Sequence, residues 1–216
     1  MTVVAAELVP LSTRLREGTR AEHSQAESEG FVERLLSGRL DVAAYADLAA
    51  QQLAVYTALE QASERMRADE RGQDLVFDEL TRVPAIERDL AHLYGAGWRD
   101  VVRVLPATER YVARLHAVGG DVACYAAHAY TRYLGDLSGG QVIQRMMQRH
   151  YGMGAEGLEF YDFPEIPKAK PFKDVYRERL DGLELDDTEV DLAVSEAQEA
   201  FRLNRAMFVE LGVAHP

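Results

Sequence analysis

YTRYLGDLSGGQVIQRMMQRH, Tyr130–His150, keeps apolar residues three and four apart on a segment that also holds Gly135, Gly139 and Gly140. The period is that of a helix. Each glycine costs a helix interior about 1 kcal/mol relative to alanine, so the three together cost about 3 kcal/mol. A segment that keeps its helical period at that cost needs bare backbone there. The need can be a close helix crossing, a helix end at Gly139 and Gly140, or a kink that brings main chain up to a flat ligand. Gly135 and Gly139 lie one turn apart on one face, and Asp136 beside them offers a carboxylate that can hold ordered water.

The chain on either side has the same texture. Tyr45, Leu48, Gln52, Tyr56, Leu59 and Met66 recur at helical spacing, and alternating strand-like runs are nearly absent. Most of the 16 Gly and 7 Pro fall between long segments rich in Ala, Leu, Arg, Glu and Gln. The sequence therefore predicts an all-α, single-domain bundle of about eight helices. They are placed at Ser12–Ser28, Phe31–Leu36, Asp41–Arg67, Pro84–Tyr94, Pro106–Val118, Asp121–His150, Pro171–Leu180 and Asp186–Leu211. Ser12, Asp41, Asp121 and Asp186 are expected to cap helix starts, and Pro84 and Pro106 suit a first helical position. Gly38, Gly95, Gly119 and Gly152 are expected at helix ends.

Length and composition narrow the function. The 216 residues suit one domain over 1–216, with 1–10 a loose tail. With 24 Lys+Arg against 36 Asp+Glu the net charge is −12, which argues against a nucleic-acid partner because phosphate contacts need a basic surface. The opening MTVVAAELVP lacks the basic start of a secretory signal, and no apolar run approaches the roughly 18 residues of a bilayer span. Cys124 is the single cysteine, so there is no intramolecular disulfide and no cysteine-built metal cluster. A cytoplasmic protein with no membrane partner is expected.

Two further clusters carry chemistry. In REGTRAEHSQAES, Arg16–Ser28, His23 lies on one helical line with Leu15, Thr19 and Ala26, which is expected to face inward. A histidine on such a face is either a satisfied core residue or a ligand. Glu27, one turn on, can accept one ring N–H of His23, fix the tautomer and make the other nitrogen a better donor to iron. Arg16 stands on the same face roughly 10 Å away at the rise of an α-helix, a separation that suits a planar cofactor ligated at its centre and anionic at one edge. Lys168, Lys170 and Lys173 are the only lysines and form, with Arg177, a local positive patch. Lys168 and Lys170 read as a solvated face, whereas Lys173 and Arg177 share a helix face on which they can meet carboxylates.

These stretches, together with FYDFP (Phe160–Pro164), FKDVYRERL (Phe172–Leu180) and AFRLN (Ala200–Asn204), resemble the soluble bacterial heme oxygenases in order and spacing over nearly the whole chain. The resemblance implies His23 as the proximal ligand of heme b, with Glu27 its hydrogen-bond partner. It implies Gly135 and Gly139 as distal backbone against the heme, and Asp136 as the carboxylate that orders distal water. Arg16 falls where the family carries a basic propionate partner, usually lysine; Lys173, Arg177 and Tyr130 match the other propionate anchors. Tyr56 and Arg132 match the distal polar network, and Phe201 and Asn204 lie near the pocket, although core packing explains Phe201 equally well. The implied activity is cleavage of heme, at the α-meso carbon, to biliverdin, carbon monoxide and ferrous iron. It uses O2 and electrons from a separate reductase or ferredoxin, in a monomer. A non-catalytic heme carrier of the same fold would share His23 and the basic clamp but has no use for Gly135, Asp136 and Gly139. A four-helix di-iron carboxylate protein would need Glu-x-x-His pairs, and the chain has none.

Overall fold

The computed structural model describes residues 9–216, and the expected tail over 1–10 lies almost wholly outside them. Among the described residues the architecture is all-helical, with no strand. The helices are α1 (Leu11–Gly18), α2 (Arg20–Glu27), α3 (Gly30–Leu36), α4 (Val42–Arg67), α5 (Val83–Tyr94), α6 (Trp98–Val101), α7 (Pro106–Val118), α8 (Val122–Ala129), α9 (Gln141–Tyr151), α10 (Ala169–Asp181) and α11 (Asp187–Ala214).

Helix α4 runs through the centre. Residues on all its sides, among them Tyr45, Leu48, Val55, Tyr56, Leu59 and Met66, are buried, as expected of a helix surrounded by others rather than laid on a surface. Its start is capped by Asp41, whose carboxylate accepts from the Ala44 amide at 2.9 Å. Asp121 does the same for α8, and Asp186 forms a reciprocal capping box with Glu189 at the start of α11. Ser12 does not cap. It lies inside α1, and its amide and hydroxyl donate to the Asp181 carboxylate at the end of α10, at 2.7 and 2.8 Å, so a distant side chain satisfies this helix start.

The long helix α11 holds α1 to α3 on one face and α7 and α8 on another. Asp191, Val194, Gln198, Phe201, Arg205, Phe208, Gly212 and His215 recur in alternating steps of three and four, the seven-residue seam of helices packed side by side. Along it Asp191 pairs with Arg14 at 2.7 Å, Gln198 donates to the Gly18 carbonyl at 2.7 Å and Phe201 meets the His23 ring. Further on Arg205 pairs with Glu29, Phe208 stacks on Phe31, and Arg34 donates to the carbonyls of Gly212 and His215. On another face Glu196 accepts from Arg114 of α7 and bonds His128 of α8 at 2.9 Å.

One sequence expectation changes here. The helix expected over 12–28 is broken at Thr19, whose φ is −107°. Gln198 takes the Gly18 carbonyl, and a Cβ on Gly18 would come within 2.5 Å of Val194 Cγ1, so the close approach of α11 divides the helix at this point. His128 of α8 is fully buried beside Glu196. Burial works to raise the Glu196 pKa, but hydrogen bonds from His128 and Arg114 overcome it and hold the group down at about 2.

A depressed carboxylate stabilises the fold above its ordinary pKa and loses that contribution as pH falls towards the folded value. Glu196→Gln is expected to cost about 2 kcal/mol at neutral pH. Denaturant unfolding should show the deficit shrinking between pH 4.5 and about 2, as the wild type loses the same charge. An undiminished deficit at pH 2 would contradict the assignment.

Candidate active site

From Tyr130 to Gly140 the path joining α8 to α9 stays helical but widens into two successive π turns, Tyr130–Leu134 and Asp136–Gly140. Such turns add a residue to the helical circuit and tilt the residues around them. The kink expected from the glycines takes this form. Gly135 and Gly139 are exposed, and a Cβ built on either would meet no atom within 4 Å. Packing within the protein therefore does not explain their bareness. Gly140 differs, because its Cβ would come within 3.0 Å of the Tyr161 ring, which makes it a close-packing glycine.

Behind the exposed glycines the same turns bury polar side chains. Asp136 is 8% exposed and accepts a hydrogen bond from the Tyr56 hydroxyl of α4. The Arg132 guanidinium lies over the Tyr56 ring at 4.8 Å and donates to Asn204 Oδ1 of α11 at 2.7 Å. Tyr56, Arg132, Asp136 and Asn204 thus form one connected group. Burial raises the Asp136 pKa to about 6, against the opposing pull of Arg132, Tyr56 and Arg82. Burial likewise pushes the Tyr56 hydroxyl well up, so it stays a proton donor.

On the other wall, α2 presents His23. Its Nδ1 faces Glu27 Oε2 at 3.3 Å, the i,i+4 relation expected, and Nε2 has no protein partner among the described residues. The side chain of His23 is 53% exposed, whereas Leu15, Thr19 and Ala26 are buried. The line expected to face inward does so except at His23, which projects from its edge. Phe201 meets the imidazole edge-on, with ring centroids 5.5 Å apart at 65°. Phe201 and Asn204 are one turn apart on α11. One touches His23 and the other Arg132, so a single stretch of α11 has α2 and the glycine turns on its two flanks.

The basic residues gather at one edge. Lys173 Nζ donates to Ser138 Oγ at 2.9 Å, at the wide turn between Gly135 and Gly139. Arg177, one turn along α10, and Arg16 of α1 both act on the half-buried Tyr130 hydroxyl, whose pKa burial raises and the two cations lower. Arg16 is not on a straight line with His23, because the break at Thr19 separates α1 from α2; its nearest charge is Glu17 at 3.8 Å. Lys168 and Lys170 are exposed.

These features fit a heme. A bare, exposed stretch of peptide, an imidazole with a free nitrogen, and cations at one edge match the demands of an apolar plane with a central metal and two carboxylates. Among the described residues there is no group of three or more His, Cys, Asp or Glu that could hold a metal ion.

Sequence reasoning missed Arg82, Asp89 and the turn Glu159–Tyr161, which support this group from behind. Asp89 had a legible signal. It falls with Ala85, Ile86 and Leu90 on the buried face of α5, a carboxylate at a core position.

Comparison with known proteins accords with this geometry. A family model described as heme oxygenase matches residues 9–210. The heme oxygenase of Rhodella violacea is 40% identical over 203 residues, covering 93% of this chain and 86% of that protein. The crystal structure of heme oxygenase-1 from Synechocystis in complex with heme superposes with a TM-score of 0.91 at 37% identity, covering 95% of this chain and 94% of the other. That of heme oxygenase from Leptospira interrogans gives 0.87 at 35% identity, covering 94% and 100%. The chain belongs to the heme oxygenase family.

An acid whose pKa is raised by folding weakens the fold once pH exceeds its ordinary value, because the charge must then be buried. Asp136→Asn is therefore expected to stabilise the ligand-free protein above pH 6 by about 3 kcal/mol. The gain should fade to nothing below about pH 4, where the carboxylate is neutral in both states. Thermal unfolding at the two pH values measures it, and an equal gain at both would refute the buried-charge account.

Proposed function

We propose that this chain cleaves heme at the α-meso carbon to biliverdin, carbon monoxide and ferrous iron, with O2 and with electrons delivered by a separate reductase or ferredoxin. Curated relatives named heme oxygenase, 37–40% identical over 93–94% of the chain, make it a heme-degrading oxygenase. The observation that carries the site assignment is the pairing on α11, where Phe201 backs His23 and Asn204 holds Arg132, so that α2 and the glycine turns flank one stretch of the same helix.

Bound heme supplies the iron that takes dioxygen and the ring that is oxidised. His23 Nε2 would hold the heme iron, with Glu27 on Nδ1 selecting the tautomer and raising the basicity of the ring. The missing side chains of Gly135 and Gly139 let the plane approach main chain, which crowds one side of the distal space. Asp136 holds water and a proton there, with Tyr56 as its hydrogen-bond donor and Arg132 fixed by Asn204 behind them. Among the described residues no side chain comes within 4 Å of a Cβ built on Gly135 or Gly139, so a reacting group seated there would face main chain rather than a histidine or arginine. Arg16, Lys173, Arg177 and Tyr130 at one edge are the anchors for the two propionates, and their placement sets which meso carbon lies under the distal helix.

No helix among the described residues is long and apolar enough to cross a membrane. We take the chain to act as a monomeric, one-domain enzyme of the cytoplasm. The basic edge by Lys168–Arg177 on an otherwise acidic chain is where an acidic electron donor would be steered.

Hemin added anaerobically is expected to give a Soret band of a nitrogen-ligated complex. Reductant and air should then replace it with bilin absorption, and His23→Ala should lack the ligated spectrum. A stable complex that never yields bilin would instead indicate a heme carrier. Arg177→Glu is expected to change the ratio of biliverdin isomers measured by chromatography; identical products would remove Arg177 from the clamp.

A further inference from the structure

Two charged side chains outside the site are buried without a charged partner. Asp89 of α5 is 0% exposed and Arg82, at the start of the same helix, 5%. They form no ion pair with each other or with another side chain among the described residues. Both spend their hydrogen bonds on main chain, and mostly on the same short turn. Asp89 accepts from the amides of Glu159 and Phe160, each at 2.8 Å. Arg82 donates to the carbonyls of Phe160 and Asp162, with a third bond to the Glu79 carbonyl, and its guanidinium lies over the Phe163 ring at 4.0 Å. The helix start that carries Arg82 is itself tied to α4, because Glu60 Oε1 accepts from the Arg82 and Val83 amides at 2.6 and 2.9 Å.

The gripped turn bears directly on the distal group. The Phe160 ring meets the Tyr56 ring edge-on at 5.2 Å. The Tyr161 ring fills the space left by the missing Cβ of Gly140, and the Tyr161 carbonyl accepts from Gln141 Nε2 at 2.7 Å. A desolvated charge costs several kcal/mol unless its hydrogen bonds are well formed, and such bonds are short and directional. A carboxylate spent on two amides of a three-residue turn is therefore a stiff grip, where a looser loop would have sufficed for packing alone.

We propose that Asp89 is a positioning residue for the distal pair. It holds the 159–161 turn so that Phe160 sets the Tyr56 ring, and Tyr161 sets the Gly140 turn, in the pose that brings the Tyr56 hydroxyl onto the Asp136 carboxylate. The grip itself stands on contacts within this chain; only the use made of the pose rests on the heme oxygenase reading.

The test compares Asp89→Leu, which removes both acceptors, with Asp89→Asn, which keeps one, and with Phe160→Leu, which keeps the grip but removes the ring on Tyr56. In the ligand-free full-length protein, proton NMR follows the Tyr56 hydroxyl resonance, assigned by its loss in Tyr56→Phe. In the hemin complex, optical titration follows the alkaline transition of the ferric species. Asp89→Leu and Phe160→Leu are expected to shift or broaden the Tyr56 resonance and to move the transition midpoint by at least about half a pH unit. Hemin affinity should stay within a factor of about three. Asp89→Asn should restore much of both signals. A folded Asp89→Leu protein with wild-type resonance and midpoint overturns the proposal. Should Asp89→Leu fail to fold, Phe160→Leu decides: unchanged signals there overturn the proposal equally. If the wild type does not take up hemin the functional reading fails, while the Tyr56 resonance still judges the grip.

Discussion

The molecule is organised around a helix that must expose bare peptide on one side and bury a carboxylate on the other. Gly135 and Gly139 give up the side chains by which a helix ordinarily packs, and Asp136, between them in sequence, is placed in the interior. Both choices weaken the segment, the first through backbone entropy and the second through desolvation. The surroundings compensate. The hydroxyl of Tyr56 meets the carboxylate, Arg132 supplies positive charge nearby, and the Tyr161 ring occupies the space beside Gly140.

The bracing comes from elements far apart in the chain. Helix α11 reaches the distal helix through Asn204 and the proximal one through Phe201, and its seven-residue seam fastens α1 to α3 from Asp191 to His215. Spacing between His23 and the glycine turns therefore depends on α11, a helix that carries neither. The division at Thr19 belongs to the same arrangement, since Gln198 and Val194 meet the chain at Gly18. It lets α2 aim His23 independently of α1, which carries Arg16 to the basic edge.

Electrostatics follow position more than composition. The chain carries −12 overall, yet its only lysines and Arg177 fall within residues 168–177, and Lys173 meets the glycine turns at Ser138. Inside, Glu196 and Asp136 respond to burial in opposite ways. Glu196 has two cationic or hydrogen-bonding partners in direct contact and is held at about 2, while Asp136 has only Tyr56 in contact and rises to about 6. The difference leaves Asp136 able to exchange a proton near neutral pH and leaves Glu196 a fixed charge.

Helical period, caps at Asp41, Asp121 and Asp186, the three glycines beside Asp136, and His23 with Glu27 one turn on are local patterns, and the sequence by itself determined them. Spacing within a helix fixes which side chains share a face, whatever the helix packs against. Tertiary structure alone decided the rest. It broke the first helix at Thr19, turned Ser12 towards Asp181, buried His128 against Glu196 and brought Arg82 and Asp89 onto the Glu159–Tyr161 turn. Each of these joins residues from separate elements, and sequence period carries no information about which face meets which. A carboxylate on the apolar face of α5 showed that something there needed a charge; only packing showed that it was the turn behind Tyr56.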